Sequence, residues 1–236
     1  MTGKIRKLAN STIDKIAAGE VIEGPASVVK ELVENAIDAK ACNVTIELSG
    51  GGYQRIRISD DGEGMSREDA LICCERHATS KLRTVEDLSH IHSMGFRGEA
   101  LSSIASVSKF SLITKHREAK EEAPATKLTI RSQVKLQDDV RKRGTTIDVE
   151  SLFYNVPARK KFQKTASASI SEITKIVTRL SLAYPNVTFR LLSDGKEVLH
   201  ALASRSGAFE EHLALRIRDV LPSNYVERGC RVSYED

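Results

Sequence analysis

Glu31, Asn35 and Asp38 lie within the stretch KELVENAIDA, separated by four and then three residues. On a helix that spacing puts all three on one face, with Glu34 at its edge. Such a stripe has two readings. It can be a solvated acidic face, with Lys30 and Lys40 as local counter-charges. It can also be a metal–phosphate site. The Asn35 amide oxygen could then coordinate Mg²⁺, a hard cation that takes oxygen ligands and keeps some of its waters. A carboxylate one turn away, as at Glu31, could orient a water and take its proton for in-line attack on a phosphoryl group. A lone amide ligand would hold the ion loosely, which suits a metal arriving with a nucleotide. The stripe alone leaves both readings open.

Two glycine-bearing segments lie downstream. DDGEGM begins at Asp60, and its glycines Gly62 and Gly64, just before Met65, would let backbone approach a flat or charged ligand. Asp60 could accept a hydrogen bond from an exocyclic amine such as that of adenine; a tight acidic turn is the alternative. In GFRGEAL the residues Gly95, Phe96, Arg97, Gly98, Glu99, Ala100 and Leu101 lead into a helix start, a place where free N–H groups attract anions. Between these segments, RHATSK supplies Thr79, Ser80 and Lys81, or else a helix C-terminus. The chain has neither a GxxxxGK[ST] loop nor a strand-to-helix GxGxxG, so P-loop and dinucleotide folds are unsupported.

These residues need elements to hold them. Apolar residues at helical spacing predict a helix from Pro25 to about Ala41, and Pro25 suits a first turn. The alternating NVTIEL and QRIRIS flank SGGG as a hairpin. Ser66, with Asp69 behind it, is positioned to cap a helix over SREDALICCERHA. Thr79 to Gly98 reads as a long loop, GEALSSIASV as a short helix, and SKFSLITKH, TKLTIRS and GTTIDVESLF as strands. SASISEITKIVTRLSLAY is an amphipathic helix that stops before Pro185, and VTFRLL and KEVLHAL form a hairpin across Asp194-Gly195. Helices mixed with antiparallel hairpins make the class α+β, helices layered on a sheet.

Composition sets outer limits. The 236 residues, 40% of them hydrophobic, suffice for one substantial core and part of a second domain. No apolar run approaches the roughly 18 residues of a membrane helix, and the N-terminus lacks a signal-peptide core, so no membrane partner and a cytosolic or nucleoid location are expected. The 4 cysteines have no CxxC spacing and read as reduced thiols. A formal charge of +4 permits an acidic partner such as DNA. The basic stretches PARKKFQK (with Arg159, Lys160, Lys161 and Lys164) and RKRG (Arg141 to Gly144) are candidate phosphate contacts, or solvated loop charge.

Taken together, IAAGEVIEGPASVVKELVENAIDA, DDGEGM, RHATSK, MGFRGEALSSIASV and GTTIDVESLFYNVPARKKF resemble the GHKL ATPases, the group of DNA gyrase, heat-shock chaperone, histidine kinase and MutL ATPase domains. Within that group the resemblance is to the MutL mismatch-repair proteins. It implies a mixed sheet covered by helices, with ATP and Mg²⁺ as cofactors. Glu31 would be the general base and Asn35 the metal ligand, with Glu34 and Asp38 in support. Asp60 would read adenine, aided by Thr145 or Thr146 through water, in a pocket shaped by Gly62, Gly64 and Met65. Thr79 to Gly98 would be the lid, with Thr79, Ser80, Lys81 and the residues from Gly95 to Leu101 around the phosphates.

The same resemblance implies an ATP-dependent homodimer formed through the N-terminal arm. Its partners would be a MutS-type mismatch-recognition protein, a downstream repair nuclease or helicase, and DNA bound largely without sequence preference. Residues 1–203 would form the ATPase domain and 204–236 the beginning of a second α/β domain. In the family that second domain contributes a lysine to the γ-phosphate. None can be assigned here, so weak or incomplete turnover is expected. FYNVPARKKF leans bacterial; a eukaryotic source would place the protein in the nucleus. A non-catalytic, ATP-gated scaffold and a GHKL protein kinase are the rival readings.

Overall fold

The computed structural model describes Ala18 and residues 22–79, 98–131, 133–204 and 209–221. Its centre is helix α1 (Pro25–Asp38). The Ser27 hydroxyl accepts from the N–H groups of Glu23 (3.0 Å) and Gly24 (3.1 Å), and so satisfies donors at the helix entrance. At the other end Lys40 takes φ 59°. There Lys40 N–H bonds Ile37 O at 2.8 Å and Ala41 N–H bonds Ala36 O at 3.1 Å, which closes the helix in a left-handed turn. Val28, Val29, Leu32, Val33 and Ala36 are buried against the rest of the molecule.

Strands β1 (Asn43–Ser49) and β2 (Arg55–Asp60) form the expected hairpin, closed by a 3₁₀ turn over Gly50–Gly52. Helix α2 (Arg67–Ile72) follows, capped by the Ser66 hydroxyl accepting from Asp69 N–H. It is shorter than the expected helix to Ala78. The chain leaves the helix at Cys73 and Cys74, which packs both thiols against the core with 3.7 Å between the sulfurs.

Helix α3 (Ala100–Ser106) leads into β3 (Lys109–Lys115), β4 (Ala125–Ile130), β5 (Val134–Asp139) and β6 (Gly144–Glu150). Short helix α4 (Pro157–Lys161) and long helix α5 (Ala166–Ala183) precede β7 (Thr188–Ser193), β8 (Lys196–Ala201) and α6 (Phe209–Val220).

The strands make one eight-stranded sheet, ordered β5-β4-β3-β6-β2-β1-β7-β8. Every pairing is antiparallel except β1 with β7. Helix α5 reaches the far side of β1 and allows this parallel pairing, burying Ile173, Val177 and Leu180 while packing on α1. Along β2 the residues Ile56 and Ile58 face this helical layer, whereas Arg55 and Arg57 point to the other face. There Asp148 accepts from Arg55 Nε and Arg57 Nη2, both at 2.7 Å. The α+β class with helices on one mixed sheet is as expected from sequence.

One feature differs from expectation. Strand β5 has no counterpart in the sequence reading: it is a short charged edge strand, exposed along most of its length, with the weak apolar alternation typical of a protected sheet edge. Helix α6, assigned from sequence to a second domain, packs on β8 and α5. Its Arg216, 1% exposed, donates to the carbonyls of Ser181 (3.0 Å), Pro185 (3.0 Å), Val187 (2.8 Å) and Leu202 (2.9 Å).

Candidate functional site

The stripe of α1 and the loop after β2 meet at the C-terminal end of α1. Glu63 N–H bonds Ala39 O at 2.8 Å, and a Cβ on Gly62 would stand 2.6 Å from that same oxygen. A Cβ on Gly64, whose φ is +66°, would stand 2.2 Å from Lys115 O. Both glycines are therefore demanded by chain packed on chain, not by open space for a ligand. Their effect is to lock the loop between α1 and β3, which sets the loop after Asp60 against the C-terminal end of α1, with Asp38 near that end and Glu31 farther along the helix. Seven residues of helix separate Asp38 from Glu31, about 10 Å along the axis.

Asp60 is largely withdrawn from solvent. Its Oδ1 accepts from Gly62 N–H at 2.9 Å and Thr145 N–H at 3.2 Å. Among the described residues its Oδ2 accepts no hydrogen bond, so that oxygen can receive an external donor. Burial pushes the Asp60 carboxyl above the usual range; the Gly62 and Thr145 N–H groups and the Arg141 charge offset part of that rise. Its neighbour Asp61 behaves oppositely. Burial would raise it, but bonds from the Asn43 side chain (2.6 Å) and the Asn43 and Cys42 N–H groups (both 2.8 Å) outweigh this and hold it low. Asp61 is a structural clamp on the start of β1.

Thr145 and Thr146 separate by strand alternation. The Thr145 hydroxyl is buried and 3.0 Å from Thr114 Oγ1, which also accepts Met65 N–H at 2.9 Å. Thr146 turns to the opposite face, toward Ser59 Oγ and Arg141 Nε, each 3.0 Å away. Of the pair left open by sequence, Thr145 is the one whose N–H bonds Asp60 Oδ1. Thr114 escapes the sequence reading. Its signal is present nonetheless, because the alternation Phe110, Leu112, Thr114 puts a hydroxyl where an apolar side chain is due.

On α1, Asn35 and Asp38 are half-buried. Glu31 is partly exposed and lies 3.4 Å from Lys30 Nζ. Glu34 is buried rather than at the edge of an open face, and Lys30 Nζ holds it at 2.9 Å. Lys40 turns away from the stripe to Glu63. Glu31, Asn35 and Asp38 offer only hard oxygen donors, and among the described residues no cluster of three or more His, Cys, Asp or Glu side chains could hold a metal. That donor set fits Mg²⁺, which retains waters and takes phosphate oxygens, and does not build an all-protein cage.

The lid expected between Thr79 and Gly98 is seen only at its ends. Ser80, Lys81, Gly95, Phe96 and Arg97 lie outside the described residues. Gly98, at φ +61°, fits against Ala78, whose oxygen would be 2.6 Å from an added Cβ, so the two ends abut. Glu99 precedes α3 with its carboxylate 3.6 Å from His77 Nδ1. Ala100 is half-buried, and Leu101 packs against the core, which leaves backbone as their means of meeting a ligand.

The basic stretches read differently in three dimensions. Arg159 Nη1 bonds Ile22 O, and its guanidinium lies 5.4 Å from the Phe153 ring centre. Arg141 Nε, Nη1 and Nη2 bond Thr146, the Lys142 and Arg143 carbonyls, and Asp60 O. Both arginines are engaged within the fold, while Lys160 and Lys161 remain exposed.

A helix-backed mixed sheet with its polar site between the first helix and the loop after β2, and no P-loop, is the architecture of the GHKL nucleotide-binding proteins. The family model described as "Histidine kinase-, DNA gyrase B-, and HSP90-like ATPase" matches residues 22–152, and the chain belongs to that family, as an N-terminal region of the MutL type. It is 50% identical to the DNA mismatch repair protein MutL of Myxococcus xanthus over 202 residues, covering 85% of this chain and 32% of the relative. With MutL of Bacillus mycoides the identity is 47% over 200 residues, 84% of this chain and 30% of the relative. The chain thus spans about a third of the length of these curated relatives.

Among solved structures, the Aquifex aeolicus MutL ATPase domain complexed with ADP superposes with TM-score 0.65 at 31% identity, covering 85% of this chain and 69% of that one. The N-terminal domain of a DNA repair protein gives TM-score 0.71 at 27% identity, over 90% and 61%.

Proposed function

We propose that the chain is the ATP-binding and ATP-hydrolysing region of a DNA mismatch-repair protein. The observation that supports this is the locking of the DDGEG loop onto the end of α1, which brings the half-buried Asp60 and the helix carrying Glu31, Asn35 and Asp38 together. The relatives named MutL and the ADP-bound neighbour support it.

In this reading the Asp60 Oδ2 accepts from the adenine amine, and Thr145 and Thr114 hold the hydroxyl network beside the base. The Asn35 amide oxygen would hold Mg²⁺, with Glu34 and Asp38 as supporting residues; when bound, the ion supplies charge neutralisation on the phosphates. Glu31, at the other end of the stripe, orients a water and accepts its proton as the new bond to the γ-phosphorus forms and the bond to ADP breaks. Ser80, Lys81 and the residues Gly95 to Leu101 would wrap the phosphates. ATP-dependent homodimerisation, a MutS-type partner, a downstream nuclease or helicase, and DNA are proposed for the whole protein.

The test is Glu31→Ala. It should still bind ATP but lose about 10²–10⁴-fold in hydrolysis, the usual contribution of a general base. Single-turnover hydrolysis with radiolabelled ATP reads this directly, and a variant as fast as the parent would leave Glu31 a surface charge. A parent chain that binds ATP without any turnover would favour the ATP-gated scaffold instead.

A further inference from the structure

We propose that Arg141 is a specificity-determining residue of the nucleotide site, a positioning residue that keeps Asp60 an acceptor and so selects adenine over guanine. This rests on the reading above that Asp60 meets the base. The chemistry of selection is simple. Adenine presents an amine, a donor, where guanine presents a carbonyl oxygen, an acceptor. An ionised Asp60 accepts from the first and repels the second. A protonated Asp60 gains a donor and loses the distinction.

Arg141 is placed to hold the ionised form without using its oxygens. Its Nη2 bonds the Asp60 backbone carbonyl at 2.9 Å, and its Nε bonds Thr146 Oγ1 at 3.0 Å on the side of the sheet away from Thr145. The guanidinium thus approaches from behind, and Oδ2 stays available for the base. A direct arginine–carboxylate pair would have competed with the ligand for that oxygen. The position is built: Nη1 also bonds Arg143 O at 2.7 Å, and a Cβ on Gly144 would stand 3.0 Å from Nη1 and 2.2 Å from Asp60 O.

The surrounding charges do not duplicate this role. Lys40 and Arg117 are directed to the Glu63 carboxylate, at 2.9 and 3.4 Å. Lys115 Nζ bonds Glu121 O at 2.7 Å. Asp61 opposes ionisation of Asp60, and among the described residues Arg141 is the cation that favours it. Burial already pushes the Asp60 carboxyl upward, so removing Arg141 moves it further in the same direction.

The experiment is calorimetric titration of the parent chain, Arg141→Met, Arg141→Lys and Asp60→Ala with non-hydrolysable ATP and GTP analogues. Titrations at one mildly acidic and one mildly alkaline pH read the direction, because a raised carboxyl takes up its proton first at the acidic end. Arg141→Met should lose affinity for the ATP analogue at the acidic pH, with a reduced preference over the GTP analogue, and the loss should shrink at the alkaline pH. Arg141→Lys keeps the charge and should retain the adenine preference at both pH values; it carries the test if Arg141→Met does not fold, as judged by its thermal melt.

Arg141→Met that matches the parent at both pH values, with Asp60→Ala defective, overturns the role of Arg141 and leaves the site reading intact. A loss in Arg141→Met that is equal at both pH values overturns it too, as does loss of the adenine preference in a folded Arg141→Lys. Asp60→Ala binding like the parent overturns the site reading itself.

Discussion

At the residue scale the site turns on how a carboxylate or amide is held. The half-buried Asp60 has one oxygen fixed by two backbone N–H groups and the other available. The buried Glu34 is neutralised by Lys30. Asn35 lies between these as a neutral oxygen donor, so its contribution should depend on the metal. Asn35→Ala should bind ATP more weakly in Mg²⁺ while differing little from the parent in EDTA. Isothermal titration in the two conditions separates these cases, and equal affinities in Mg²⁺ would remove Asn35 from the metal. Asp60 and Asn35 stand out in the sequence by residue type and spacing, which leave a tight turn and a solvated face as their alternatives. Arg141 reads there as loop charge, because nothing in RKRG says that its first guanidinium folds back on a carbonyl eighty residues away in sequence.

At the scale of elements, the helix–hairpin start is legible from periodicity, while the parallel β1–β7 pair is not. Its strands are far apart in sequence, and only the packing of α5 on α1 sets them side by side. The glycines of DDGEG are visible, but their reason is not: the backbone that crowds Gly64 comes from Lys115. Helix α6 gives the clearest case. Arg216 fastens it to carbonyls from α5, the α5–β7 connection and the end of β8. We propose that the ATPase domain runs through α6 and that the boundary falls beyond it. Arg216→Met would leave those buried carbonyls short of a donor, at a cost on the order of 3 kcal/mol. A thermal melt and a urea titration would show it as a lowered midpoint. A parent-like midpoint would mean that α6 adds nothing to the domain's stability.

At the scale of the whole molecule, the remaining question is where a nucleic-acid partner would touch. The formal charge is only +4, so binding must come from local clusters rather than a global field. Four basic residues follow FYNVP closely in sequence, but the fold divides their tasks. Arg159 reaches Ile22 at the root of the N-terminal arm, and Lys164 pairs with Glu172 at 2.7 Å. Lys160 and Lys161 are left exposed at the end of α4, beside Phe162, which is 86% exposed. Reversing Arg159 would therefore disturb its bond to Ile22 ahead of α1 and confuse the test. Lys160→Glu with Lys161→Glu is the cleaner probe. If both meet phosphates, duplex binding by the chain should weaken alike for any sequence, and the slope of log affinity against log salt should flatten by about 0.9 for each phosphate no longer neutralised. ATP hydrolysis without DNA should stay at the parent rate, because neither lysine touches the α1 stripe or the Asp60 loop. Fluorescence anisotropy across a salt series measures both affinity and slope. An unchanged slope would make the pair a solvated helix end and place any DNA contact elsewhere.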